Sequence, residues 1–268
     1  MEVNYDQLIL SSKVPINESL YIKIPTISEL AFGEYNEFMI FTRVFVTSVR
    51  EQFSGAPREV DEIEEKFPSF LDMAFDNDMS KVAGQMMFGE GMDLLNVIVN
   101  GLAYWTKTDI NDYKALSNHK IVNEKANWVI DRAEYEQFCN YIRMITLSEP
   151  NEELIAPKNI SKHPHQCQIW MNLYKGRIAK LQKKKSEGLG DKMLLLQAIS
   201  PSYLSFEDMG NMTYYQFFNT LSAYSKMRAN NREFEIYTSE KFDTKDMKLT
   251  DLSDEVILVK LKKIKNSI

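Results

Sequence analysis

The residue types best suited to chemistry gather in one short run, His163-Pro164-His165-Gln166-Cys167. Two imidazoles and a thiolate are zinc ligands. A structural zinc site needs a second, spaced group of ligands, which this run lacks, and Pro164 restricts the local geometry. Cys139 is a further soft ligand, remote in sequence. The run reads instead as a polar linker ending in a buried cysteine, so no metal and no other cofactor is assigned. With three His in the chain, a His-centred triad has few options, and none sits beside a Ser or Cys in a nucleophile motif. A G-x-x-x-x-G-K phosphate loop and a G-x-S-x-G elbow are both missing. Carboxylates are abundant, which leaves a paired-carboxylate site open with no residue pattern in its favour. The expectation is a protein that is not an enzyme; an enzyme or metal-binding protein remains as an alternative.

Binding residues stand out more than catalytic ones. Lys175, Arg177, Lys180, Lys183, Lys184 and Lys185 form a basic run that helical spacing spreads over an exposed side. It reads as a solvated face, as a partner for the acidic Glu59–Glu65 stretch, or as a contact for an acidic protein. Nucleic acid is disfavoured, because 32 Lys and Arg against 38 Asp and Glu leave a net charge of −6, and the basic run has no interleaved aromatics. Tyr214, Phe217, Phe218, Leu221 and Tyr224 form an aromatic stripe at core spacing, which leaves Tyr215, off the stripe, as the candidate partner contact. Lys180, Lys183, Lys184, Lys185 and Tyr215 are therefore the candidate partner-binding residues. The chain has 14 Met; Met73, Met86, Met87 and Met92 are candidates for an adaptable surface, with the core the better reading for most of them.

The elements that must position these residues are mainly α-helical. Hydrophobic residues at 44% and aromatics at 12% build a core, and only 10 Gly and 8 Pro in 268 residues favour helices over a turn-rich β fold. Two Cys exclude a disulfide framework and fit a reducing compartment. No run of about 18 apolar residues would span a membrane, and the opening MEVNYDQLILSSKVP lacks the basic-then-apolar form of a secretory leader. The expected fold is a helical bundle-like core with a short extended N-terminal hairpin, formed by Leu8–Leu10 and Leu20–Ile24, and a small β element near the C-terminus, where Phe234, Ile236 and Thr238 alternate. Thr26-x-x-Glu29, Asp131-x-x-Glu134 and Thr213-x-x-Gln216 read as capping boxes. The first opens a helix reaching about Arg50, weakened at Gly33. Residues 52–57 read as a loop, and Pro68 as part of the first turn of a helix carrying Phe70, Leu71, Met73 and Ala74. Met79–Tyr104 reads as helical with glycine weak points, and Trp105–Asn127 as a loop with a short strand near His119–Val122. The second capping box opens a helix with Tyr135, Phe138, Ile142 and Ile145 inward. A further helix runs from Gln166 to Ser186 with Ile169, Trp170 and Leu173 as its apolar part, and Gly188-Leu189-Gly190 stops it before a short apolar helix, Met193–Ile199. Glu255–Lys265 reads as a strand or a basic amphipathic helix. The division expected is 1–149, a polar, proline-bracketed linker at 150–164, and a C-terminal helical region at 165–268.

The stretch Val129-Ile-Asp-Arg-Ala-Glu-Tyr-Glu-Gln-Phe-Cys-Asn-Tyr-Ile-Arg143 resembles a D-R-A-x-Y-x-Q-x-C-x-x-x-R segment of tail-module proteins from phages of Gram-positive bacteria. The surrounding order is similar: Tyr21-Ile-Lys-Ile-Pro-Thr-Ile-Ser-Glu-Leu30 followed by Phe32-Gly33-Glu34, the Lys-rich Lys175–Lys185 helix, Tyr215-Gln216-Phe217, the Tyr237–Asp246 segment and Asp251-Leu252. The 150–164 stretch, with its His163-Pro164-His165, and the Glu255–Ile268 extension depart from that pattern. The resemblance implies a tail assembly chaperone-like factor acting in the cytoplasm of the infected host cell. Its implied partners are the tape measure protein and the tail tube protein. Self-association as a homo-oligomer stays open. The alternative within the same class is a structural virion component, a minor tail or head–tail connector protein.

Overall fold

The computed structural model describes residues 5–183, 187–239, 241, 244–245, 247–253 and 257–261. It is mainly α-helical, with two small antiparallel sheets. The chain opens with helix α1 (Tyr5–Leu10), so Leu8–Leu10 is helical and not the first hairpin strand. Leu8 goes into the core while Leu10 is left in solvent. The hairpin lies one step later, where β1 (Lys13–Pro15) pairs with β2 (Tyr21–Lys23), Val14 opposite Ile22. Asn17 explains the shift. Its side-chain oxygen accepts from the Ser19 and Leu20 amides and closes the turn.

Thr26 then caps α2 (Ile27–Glu29) with the expected reciprocal box. A π turn (Leu30–Glu34) follows, in which Gly33 takes φ 146°. It leads into α3 (Tyr35–Val46), which ends four residues before Arg50 because extended Thr47 breaks the helix and Ser48 caps a new one, α4 (Val49–Phe53). The loop expected at 52–57 therefore starts at Ser54. The acidic stretch forms α5 (Val60–Lys66). Ser69 caps α6 (Phe70–Ala74), so Pro68 precedes the cap; Phe70, Leu71, Met73 and Ala74 are all buried. The long apolar stretch is two helices, α7 (Asn77–Phe88) and α8 (Leu94–Thr106), separated where Gly89 and Gly91 take positive φ.

The segment read as a loop carries a three-stranded antiparallel sheet, β3 (Tyr113–Leu116), β4 (Lys120–Asn123) and β5 (Trp128–Ile130), in that order. Only its middle strand was expected. Asp131 caps α9 (Arg132–Thr146), with Tyr135, Phe138, Ile142 and Ile145 buried as predicted. The second capping box is half made: Glu134 accepts instead from the Trp128 indole at 2.9 Å, tying β5 to α9. Beyond two short 3₁₀ turns come α10 (Pro164–Gln182), α11 (Leu189–Ile199), α12 (Phe206–Asn211) and α13 (Tyr214–Tyr237). Gly188 precedes α11 and Gly190 lies within it. The third box, Thr213 with Gln216, is complete. α13 runs on through Phe234, Ile236 and Tyr237, so the alternation there does not make a strand, and the described C-terminal residues include none. Most of Glu255–Lys265 lies outside the described residues.

The main core forms where α3 packs between α8 and α9. Phe38 meets Trp105 at 5.7 Å, and Phe45 meets Phe138 edge-on at 4.9 Å. A smaller core gathers Ile27, Leu196, Met209 and Phe217 from α2, α11, α12 and α13. Burying side chains of this size contributes roughly 1.5–3 kcal/mol each.

Candidate interaction surface

The sequence that starts α3 also puts apolar side chains into water. The Thr26 box, an ion pair from Lys23 to Glu29 and the buried Leu30 hold the start of the helix in place. Burial raises the Glu29 carboxyl, and Lys23 and the Thr26 amide outweigh it, so Glu29 sits below its ordinary pKa. Gly33, at φ 146°, then breaks the helix and resets its phase before α3. Inward go Phe38, Thr42, Val44 and Phe45; outward go Phe32, Tyr35, Met39 and Ile40. Phe32 is 91% exposed and Met39 52%. Tyr35 and Met39, at helical spacing, share one face of α3, and exposed Phe32 stands just ahead of them across the Gly33 kink. The rim of this face is charged: Lys107 pairs with Glu34 at 2.9 Å and lies 4.4 Å above the Tyr104 ring. At its far end Arg43 donates to the Met87 carbonyl at 2.8 Å and anchors the end of α7. Met86 and Met92, near that end, are exposed, while Met73 and Met87 are core.

The partner-binding residues expected from sequence separate. Lys180 and Lys183 are exposed at the end of α10. Lys184 and Lys185 lie outside the described residues. Tyr215 is not a surface contact: it is fully buried, and its hydroxyl points at the Val259 carbonyl, 3.5 Å away. Burial pushes its pKa up to about 12. The aromatic stripe is packed as expected, with Phe217 fully buried and Tyr214, Phe218, Leu221 and Tyr224 partly buried; Tyr215 is buried as well because α13 is gripped from two sides, by Ile27 and α11 around Phe217 and by the N-terminal segment around Tyr215. On α10, Trp170 is buried as expected, whereas Ile169 and Leu173 are about half exposed, at 47% and 48%.

The His-Pro-His-Gln-Cys run does not converge. His163 and His165 face solvent, while the Cys167 thiol turns inward and donates to the Ile160 carbonyl at 3.2 Å. Cys139 is buried in α9, and desolvation raises its thiol to about 12 against the pull of Arg143. Among the described residues no three His, Cys, Asp or Glu side chains come together as a metal site. A cleft of about 560 Å³ opens between α6 and the β3–β4 turn, where His119 stacks on Phe75 at 5.0 Å. Its charges face one another, Lys66 with Asp76 at 3.4 Å and Arg132 with Asp72 at 3.9 Å. Among the described residues no hydroxyl or thiol lines it.

The 150–164 stretch, expected as a linker, is a strap bound to the body. Asp61 of α5 accepts from the Asn159 amide at 3.0 Å, the Ser161 amide at 2.8 Å and the Ser161 hydroxyl at 2.6 Å. The same carboxylate pairs with Arg50, which is buried and also meets Glu64 at 3.0 Å. Within the acidic stretch, Asp61 and Glu64 are thus matched by Arg50 and the strap. Partial burial raises the Asp61 pKa, and Ser161, Arg50 and Asn159 outweigh it, leaving the carboxyl below its ordinary range. Ser54 accepts from the Ala156 amide at 2.8 Å, and the Ser54 carbonyl receives the Trp170 indole at 2.7 Å. No sequence motif marks this network, since its members lie about 100 residues apart.

Comparison with protein-family models, with curated proteins and with solved structures finds no match to the chain. No helix of the described residues is long and apolar enough to cross a membrane.

Proposed function

We propose that this protein is a non-enzymatic assembly factor of a phage tail, chaperone-like, which covers apolar segments of the tape measure or tail tube protein during tail morphogenesis in the host cytoplasm. One observation carries the reading. Phe32-Gly33-Glu34, a piece of the resemblance to tail-module proteins, spans the Gly33 kink at which Phe32 stands in solvent, just ahead of the exposed Tyr35, Met39 and Ile40 of α3. Large apolar side chains exposed close together on a surface mark a binding site. Met and aromatic side chains suit a client that must be held and then released, because they repack at low cost and give modest affinity per contact. Many copies along one long client add avidity without permanence.

The test is co-purification from cells expressing the neighbouring tail genes, with mass spectrometry of purified particles alongside. Capture of a long helical client, lost in Phe32→Asp/Met39→Asp and absent from particles, supports the proposal. Retention in particles at fixed copy number identifies a structural tail or connector protein instead and rejects the chaperone role.

A further inference from the structure

The exposed side of α10 carries a pattern that the fold does not use. Ile169, Leu173, Gly176, Lys180 and Lys183 follow one another at spacings of 4, 3, 4 and 3 residues. That is the repeat of a helix–helix seam, and at 100° per residue the five positions fall on one narrow stripe about 21 Å long. Lys183 still has helical backbone angles, φ −78° and ψ −17°, so the stripe is continuous to its end. Its centre lies about 100° around the helix from buried Trp170 and about 160° from buried Cys167. Ile169 and Leu173 stand half exposed, and Lys180 and Lys183 are exposed.

Gly176 is the second observation. It sits in mid-helix, and a Cβ added there would meet nothing within 4 Å. Glycine weakens a helix relative to alanine, and no neighbour among the described residues requires its small size. A bare position at the centre of a seam is what a close-approaching second helix uses.

We infer that this stripe docks an amphipathic helix of another protein, apolar along one half of its contact face and acidic along the other. Charge selects that occupant. A second copy of the same stripe packed parallel would set Lys180 and Lys183 against themselves, and packed antiparallel would set them against Ile169 and Leu173. A membrane surface fits less well, because interfacial helices separate apolar and basic residues onto opposite faces. Here the two kinds lie end to end on one face. The assignment does not depend on the tail-assembly reading.

The experiment titrates the full-length protein with labelled synthetic helical peptides of about three heptads. One pair of peptides carries Leu then Glu at the seam positions, in either chain direction; a matching pair carries Lys in place of Glu. Anionic phosphatidylserine vesicles are the competing probe. One Glu peptide is expected to bind, and neither Lys peptide. Lys180→Glu/Lys183→Glu should weaken that binding by about tenfold or more at low salt. Gly176→Ala should raise the melting temperature yet weaken the same peptide, a split that a purely structural role cannot give. Equal binding of Glu and Lys peptides, unchanged affinity in Gly176→Ala, or vesicle binding in place of peptide binding would overturn the inference. Helix content by circular dichroism confirms that each variant is folded.

Discussion

Removing the Asp61 carboxylate separates two roles it holds at once. Asp61→Ala deprives Arg50 of its Nη1 contact at 3.1 Å and leaves Glu64, at 3.0 Å from Nε, as its acidic partner. It also strips the Asn159 and Ser161 amides of their acceptor. Breaking a buried ion pair by deleting one partner costs about 3–5 kcal/mol. Glu64 still compensates part of the guanidinium, and Asn159 is exposed, so its amide can turn to water. The lower end applies, about 3 kcal/mol, or a fall in Tm of roughly 6–12 °C for a chain of this size. Urea unfolding followed by tryptophan fluorescence measures the first number, with Trp170 reporting beside the strap. Tryptic cleavage after Lys158 or Lys162 measures release of the strap. Asp61 titrates lower in the folded state than in the unfolded chain. Its contribution is therefore complete above the ordinary aspartate range, about pH 4, and fades as pH falls through the folded value; Asp61→Asn should flatten that acid limb. A loss below about 1 kcal/mol, the size of a surface pair, with unchanged cleavage would refute the strap argument.

Three further outcomes are expected. Gly101→Ala places a Cβ 2.7 Å from Phe45 Cε2, inside the α3–α8 contact, and should cost about 1–3 kcal/mol by chemical denaturation. Trp128→Phe removes the indole bond to Glu134 and should cost about 1 kcal/mol, with the Asp131 cap of α9 left in place. Cys139 and Cys167 are both buried, so a thiol reagent at pH 8 should modify neither in the native protein and both in urea; fast native labelling of either would contradict the packing.

Helix positions were legible wherever a cap and an apolar period agreed. Thr26, Asp131 and Thr213 marked true helix starts, and the Tyr135–Ile145 stripe pointed inward. Helix ends were harder. Ser48 and Ser69 act as caps without a long apolar period behind them, and the break after α3 depends on Thr47 being extended. The three-stranded sheet escaped because its strands are three or four residues long, too short for alternation to show. Tyr215 was misread for a different reason. A stripe marks one packed side of a helix, and α13 is packed on two. The strap was invisible because polar residues bracketed by proline look alike whether they are solvated or held by a distant Asp61. On the surface, Lys180 and Lys183 emerged as exposed, but the exposure of Phe32 goes with the break at Gly33, which no simple helical period encodes.

The beginning and end of the described chain are stitched together. The Ile27 amide bonds the Met212 carbonyl at 3.0 Å, Tyr214 donates to Pro25 at 2.8 Å, and Gln216 reaches the Ile9 carbonyl at 2.8 Å. Leu261 donates to the Tyr5 hydroxyl across 256 positions. During synthesis, residues 9–27 must therefore wait for residues 212–216 before these contacts can close. Ile27, fully covered in the finished fold within the cluster of Leu196, Met209 and Phe217, stays open to water until those residues emerge. At about 5–20 residues per second, that interval is on the order of ten seconds or more, long compared with collapse. Nascent chains should thus be most prone to aggregation just before residue 217 emerges, and a stalled or truncated product should leave its N-terminal hydrophobic residues unprotected.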